Sequence, residues 1–201
     1  MHTSLRSFLL IALSIILYTS AKAQSADELS KQYSEFKIRS STKSNASTIE
    51  LGKQLLPQAD QLPEKKRVFF YNMLAKAYEE EKQFDMALPL YEKVTVMQPD
   101  YYVAHLALGH LYMQKANQAG ALVNASKGNK TAYQKNLATY TALINKAIPH
   151  LEKVQACDPY DDNLNLIKKL YTSINNTGAI GTLSTRVKAM SSKCIDLLVE
   201  N

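Results

Sequence analysis

Tryptophan is absent from the 201 residues, and cysteine occurs only twice. Two cysteines are too few for a disulfide-dense scaffold or for a structural zinc site built from thiolates. Six glycines and six prolines exclude a collagen-like or low-complexity chain. Strong charge of either sign is also lacking: 24 Lys+Arg stand against 18 Asp+Glu, a formal +6, with 46% hydrophobic residues. That balance excludes a chain disordered throughout, which needs few apolar residues and high net charge. It is also too mild to mark a nucleic-acid binder. Long apolar runs are missing with one exception, Phe8 to Tyr18, interrupted only by Ser14.

Those eleven residues fall short of the ~20 that a helix needs to cross a bilayer. Arg6 precedes the run, and Thr19-Ser20-Ala21-Lys22-Ala23 follows it with small side chains at Ala21 and Ala23. This order predicts a secretory signal peptide over residues 1–23, cleaved after Ala23 to leave an exported chain from Gln24. An uncleaved anchor is the alternative reading. Gln24, not a cysteine, stands immediately after the cleavage point, so a lipoprotein anchor is not expected. Export makes a nucleic-acid partner less expected still.

What is present is a repeat. Ala87-Leu-Pro-Leu-Tyr-Glu-Lys-Val-Thr-Val-Met-Gln-Pro99 aligns without a gap to Ala147-Ile-Pro-His-Leu-Glu-Lys-Val-Gln-Ala-Cys-Asp-Pro159, sharing Ala, Pro, Glu-Lys-Val and the final Pro. Upstream, Tyr71, Leu74, Ala75 and Tyr78 match His105, Leu108, Gly109 and Tyr112 at a spacing of 34. Apolar residues recur at helical spacing over Phe70 to Tyr78 and Ala87 to Val94. Gln83-Phe84-Asp85 is a short polar joint that folds one helix back on the other, and Pro99 and Pro159 stop the return helices. No segment alternates with period two. The expected fold is all-α, with helices also over Ala26 to Arg39, Asn45 to Asp60 and Leu164 to Ile174, and a last one carrying Ile180, Leu183, Val187, Met190 and Leu197. Ser40 to Ser44 and Asn175 to Gly178 read as joints.

The second repeat is interrupted. Tyr78 and Ala87 lie 9 apart, whereas Tyr112 and Ala147 lie 35 apart, an insertion of 26 residues. Apolar spacing continues through it on both sides of Ser126 to Lys130, where Gly128 can take positive φ. This predicts a protruding helical-hairpin arm around residues 113–146, with a kink near Asn145 caused by Pro149. From Tyr101 to Leu151 there is no acid at all, while Lys115, Lys127, Lys130, Lys135 and Lys146 lie within the stretch. A basic, acid-free arm suits an anionic lipid or glycan surface; a merely solvated face is the plainer reading.

Motifs for chemistry are scarce. His105 and His110 lie five apart, on different helix faces, and no HExxH pair, nucleophile elbow or phosphate-binding glycine loop occurs. No metal, cofactor or catalytic residue is therefore expected. Asp158-Pro-Tyr-Asp161-Asp162-Asn163 lacks the glycine and closing glutamate of a calcium loop, and reads as a helix stop and a new start. Cys157 ends the second return helix and Cys194 lies near the end of the last helix. If successive return helices run parallel, both sulfurs reach one end of the stack, where a disulfide could form.

The 34-residue period with those large, small and aromatic positions resembles the tetratricopeptide repeat family, and with the signal resembles its secreted members in Gram-negative bacteria. The resemblance covers residues 63–101 and, interrupted, 102–161. Residues 24–62 and 162–201 then read as degenerate hairpins that close the ends of a short α-solenoid. It implies a periplasmic scaffold for protein–protein interaction rather than an enzyme, its partner an envelope protein or peptide. The first helices of successive hairpins would line the groove, through Phe69, Asn72, Lys76, Glu79, Val103, Leu106, His110 and Met113. The family's Lys/Asn/Arg grip on a terminal carboxylate has no counterpart here.

Overall fold

The computed structural model describes residues 27–42 and 44–199. The expected signal segment, residues 1–23, lies outside the described residues. Every element within them is helical: α1 (27–42), α2 (Asn45–Leu55), a 3-10 turn (Leu56–Gln61), α3 (Glu64–Glu80), α4 (Phe84–Met97), α5 (Tyr102–Ala125), α6 (Lys130–Cys157), α7 (Asp161–Ser173), a second 3-10 turn (Thr177–Thr182) and α8 (Leu183–Met190). No strand occurs among the described residues, only an isolated parallel bridge between Tyr101 and Ile195.

Helices α3 and α4 form a hairpin because each carries one apolar stripe and the joint is short. Phe70, Leu74, Ala75 and Tyr78 of α3 and Ala87, Leu90 and Val94 of α4 are buried. Ala75 and Ala87 are completely so, which lets the two backbones approach. Lys82 makes the reversal in the left-handed region at φ 58°, with Gln83 N–H donating to the Tyr78 carbonyl at 2.8 Å. Helices α5 and α6 repeat the arrangement at greater length, 24 and 28 residues against 17 and 14. Their close approach falls at Gly109, where an added Cβ would sit 2.8 Å from Leu151 Cδ2. The seam between them stays buried through Ile144, Ala116 and Ala119; beyond Ala119 the arm's side chains are part-buried or exposed.

Four local expectations are corrected. Helix α1 runs through Ser40, Ser41 and Thr42 instead of stopping at Arg39. Their hydroxyls donate back to the carbonyls of Lys37 and Ile38, and Ser44 caps α2 by accepting from Ser47 N–H. Helix α2 ends at Leu55 rather than Asp60, because Pro57 supplies no N–H to continue the ladder and the chain tightens into the 3-10 turn. At the arm's tip no glycine has positive φ. The turn is closed instead by Asn129 Oδ1, which accepts from Ala132 N–H, and by Asn136 Nδ2 donating to Ser126 Oγ. Finally, the last helix stops at Met190, so Cys194 and Leu197 belong to an extended tail. Helix α6 runs unbroken through Pro149.

Side chains at one repeated position clasp neighbouring hairpins together. Glu92 of α4 accepts from Tyr112 of α5, while Lys146 of α6 lies 3.8 Å from Glu92 and 5.2 Å over the Tyr112 ring. Glu152, its counterpart in the duplicated Glu-Lys-Val, accepts from Tyr171 of α7 at 2.7 Å. Arg186 of α8 grips Glu152 with two bonds at 2.6 and 3.1 Å and lies over the Tyr171 ring. Burial and the neighbouring Glu152 push the Tyr171 hydroxyl up to about 12, so it remains a donor. Tyr78, which precedes Tyr112 by one period, has no such acceptor: Gln58 and Ala59 stand where a glutamate would, and its buried hydroxyl finds no partner.

Candidate functional site

A concavity of about 560 Å³ lies between α3 and α5, the first helices of the two hairpins. Phe69, Met73, Val103 and Leu106 form its apolar wall; Lys76, Glu79, Glu80 and His110 form its polar rim. These positions converge because α3 and α5 present equivalent faces one period apart. Seven of the eight groove residues named from the sequence line it. Met113 does not, and is instead packed against the core.

Fixed hydrogen bonds shape the groove. Tyr91, buried on α4, donates to Glu79 at 2.7 Å and so holds that carboxylate at the wall. Burial, and then Glu79, push the Tyr91 hydroxyl well above its ordinary range, which keeps the proton on the phenol. Tyr101, itself buried, lines the groove together with Asn72. Lys76 pairs with Glu80 at 3.8 Å along the helix surface, a contact worth well under ~1 kcal/mol. The rim therefore offers donors and acceptors of both signs around an apolar wall, which suits a polypeptide better than a single charged group.

Two further lining residues come from a region that sequence reasoning assigned to a helix. Leu197 and Leu198 reach the groove from the tail. The tail is held by Ile195, whose N–H donates to the Asp100 carbonyl at 2.8 Å and whose carbonyl accepts from Tyr102 N–H at 3.1 Å. Cys157 and Cys194 are joined by a disulfide, with Cα atoms 5.5 Å apart. Lys153, buried at the end of α6, donates to Asp100 at 3.0 Å and also to the Lys193 carbonyl. Tail pairing depends on contacts across more than ninety residues of chain, which no local pattern displays.

A second missed cluster lies between α5 and α6, where His105 Nδ1 and His150 Nδ1 are 2.9 Å apart. The Pro99 carbonyl, 3.1 Å from His105 Nε2, can only accept, so Nε2 carries a proton. A neutral His105 then accepts at Nδ1 from His150. Burial, then His105 and Lys146, push His150 down to about 4; burial also lowers His105. A signal existed: in an antiparallel hairpin, residues equidistant from the turn face each other, and these two are. Among the described residues no group of three potential metal ligands occurs.

The basic arm is corrected by its neighbours. Lys115 pairs with Asp85, and Lys146 with Glu92, so α4 supplies acids that the local stretch lacks. Lys127, Lys130 and Lys135 remain exposed near the tip with no ion pair among the described residues. No described helix is long and apolar enough to cross a membrane. No family model, curated protein or solved structure matches the chain.

Proposed function

We propose that the chain is an exported, non-enzymatic scaffold of the tetratricopeptide type that holds an extended segment of an envelope protein between α3 and α5. The observation that carries this reading is the convergence of residues one 34-residue period apart on a single groove, apolar along its wall and mixed in charge at its rim. An extended peptide fills such a groove with side chains and satisfies its own backbone at the rim. Periplasmic export rests on the signal-like order of residues 1–23, and the mature chain should then begin at Gln24.

In-cell crosslinking followed by mass spectrometry tests the proposal. Val103→Asp in the wall with Lys76→Glu at the rim, both at exposed positions, should remove the crosslinked envelope partners without changing the circular dichroism. Unchanged partners overturn the groove reading. The competing role, an anionic lipid or glycan surface, now rests on Lys127, Lys130 and Lys135 alone. Salt-sensitive sedimentation with phosphatidylglycerol vesicles that is lost on deleting Gly120 to Thr139 would favour it.

A further inference from the structure

The tail that enters the groove has an unusual character for a finished part of a core. Ile195 and Leu198 pack inward, yet Leu197 and Val199 are 69% and 64% exposed. Leu197 and Leu198 form a wall between the groove and a smaller hollow of about 140 Å³ lined by Glu64, Lys65 and Val68 at the start of α3. One continuous furrow along α3, from Glu64 to Glu80, is thus divided by two leucines of an extended segment. That segment runs parallel to the chain at Tyr101 and exchanges both backbone bonds of Ile195 with Asp100 and Tyr102.

We propose that the tail is a built-in stand-in for the groove's ligand, and that the ligand is an extended segment with adjacent large apolar side chains that displaces Leu197 and Leu198. This rests on the groove being the binding surface, and adds the chemistry of the occupant and a competitor for it. The physical case is one of mismatch between tether and anchor. The disulfide at Cys194 holds the next four residues, Ile195 to Leu198, beside the groove, at an effective concentration on the order of mM for so short a link. The anchor itself leaves two of its large apolar residues in water. Such a segment stays docked because it is tethered rather than because it binds tightly, so an incoming segment of better fit can replace it. Displacement joins the groove and the hollow, and lengthens the furrow at the end nearest Glu64.

The test uses a fluorescein-labelled peptide with the sequence of residues 195–201 and reads its anisotropy with the disulfide-intact chain. Leu197→Asp with Leu198→Asp should open the walled-off end of the groove and raise the affinity for the peptide at least tenfold over the unaltered chain. A second variant that stops after Asp196 should behave alike, which guards against a folding defect in the first. Adding Val103→Asp should return binding to the unaltered level, and a peptide with serine at both leucine positions should not bind. Equal affinity of unaltered and tail-altered chains, or affinity indifferent to Val103→Asp, overturns the proposal. Should cellular partners depend on Val103 while the peptide fails to bind, the groove reading stands and the tail proposal falls. Should the peptide bind while cellular partners ignore Val103, the proposed function falls and the tail's docking stands.

Discussion

Glu92 and Glu152 occupy the same place in a duplicated motif, accept from equivalent tyrosines and meet a cation from a helix further on. Their surroundings differ. The Glu92 side chain is 41% exposed and its lysine 60%, whereas the Glu152 side chain is 7% exposed and is met by Nε and Nη2 of Arg186. Water screens the first pair and a flexible ammonium serves it; the second is desolvated and held by a planar fork matched to a carboxylate. A repeated sequence can therefore place identical groups at junctions of unequal strength. The outer junction also holds the disulfide and the buried Lys153, so the carboxy-terminal cap is fastened more firmly than the middle of the molecule.

The sharpest test is a matched pair of substitutions. Glu152→Ala leaves Arg186 and the Tyr171 hydroxyl without their acceptor and should cost about 3–5 kcal/mol in urea unfolding. Glu92→Ala should cost only about 1 kcal/mol, its lysine being free to turn to solvent. Equal losses would remove the distinction between the junctions.

Acid should then weaken the inner junction and spare the outer one. His150 stacks on Tyr112, with ring planes 7° apart, and its folded pKa of about 4 lies below the unfolded value of 6.5. The unfolded chain binds the extra proton in that window, so stability is full above pH ~6.5 and falls as pH drops toward ~4, by roughly 1–2 kcal/mol after allowance for solvent screening. Asp100 and Lys153 beside His105, and Lys146 beside His150, are the charges that face the pair. Hydrogen exchange at pH 5 should show α5 losing protection before α7, and His150→Phe should flatten the pH dependence. A uniform loss along the chain would count against this placement.

The smallest effect concerns the junction that has no clasp. Tyr112→Phe removes a bonded hydroxyl and should cost about 1 kcal/mol, whereas Tyr78→Phe removes a buried hydroxyl with no partner and should be neutral or slightly stabilising. A loss at Tyr78 equal to that at Tyr112 would mean that all three tyrosines are equivalent after all.

Most helices and the arm were legible in the residues because helical periodicity and joint composition are local. Leu108, Leu111 and Tyr112 on one side and Tyr140, Ile144 and Ile148 on the other announce a hairpin wherever they fold. The groove residues came from the family resemblance, not from helical spacing; Phe69, Asn72 and Lys76 stand one 34-residue period before Val103, Leu106 and His110, and all six line the concavity. Helix ends were read less well: hydroxyls at Ser40, Ser41 and Thr42 bonded back to their own helix, and Pro57 changed the pitch of a segment whose apolar pattern continued. The lysine-rich arm misled because charge balance was judged along the chain, while Asp85 and Glu92 reach Lys115 and Lys146 from another helix.

By itself, then, the sequence determined the all-helical class, the paired hairpins and the inserted arm, all consequences of side-chain spacing on a 3.6-residue turn. Only the tertiary structure decided that His105 meets His150, that one glutamate of a repeated pair is buried and the other wet, and that the tail leaves its helix at Met190 to divide the groove. These depend on register and on partners far along the chain, where the free energy comes from desolvation and geometry between elements rather than from any pattern within one.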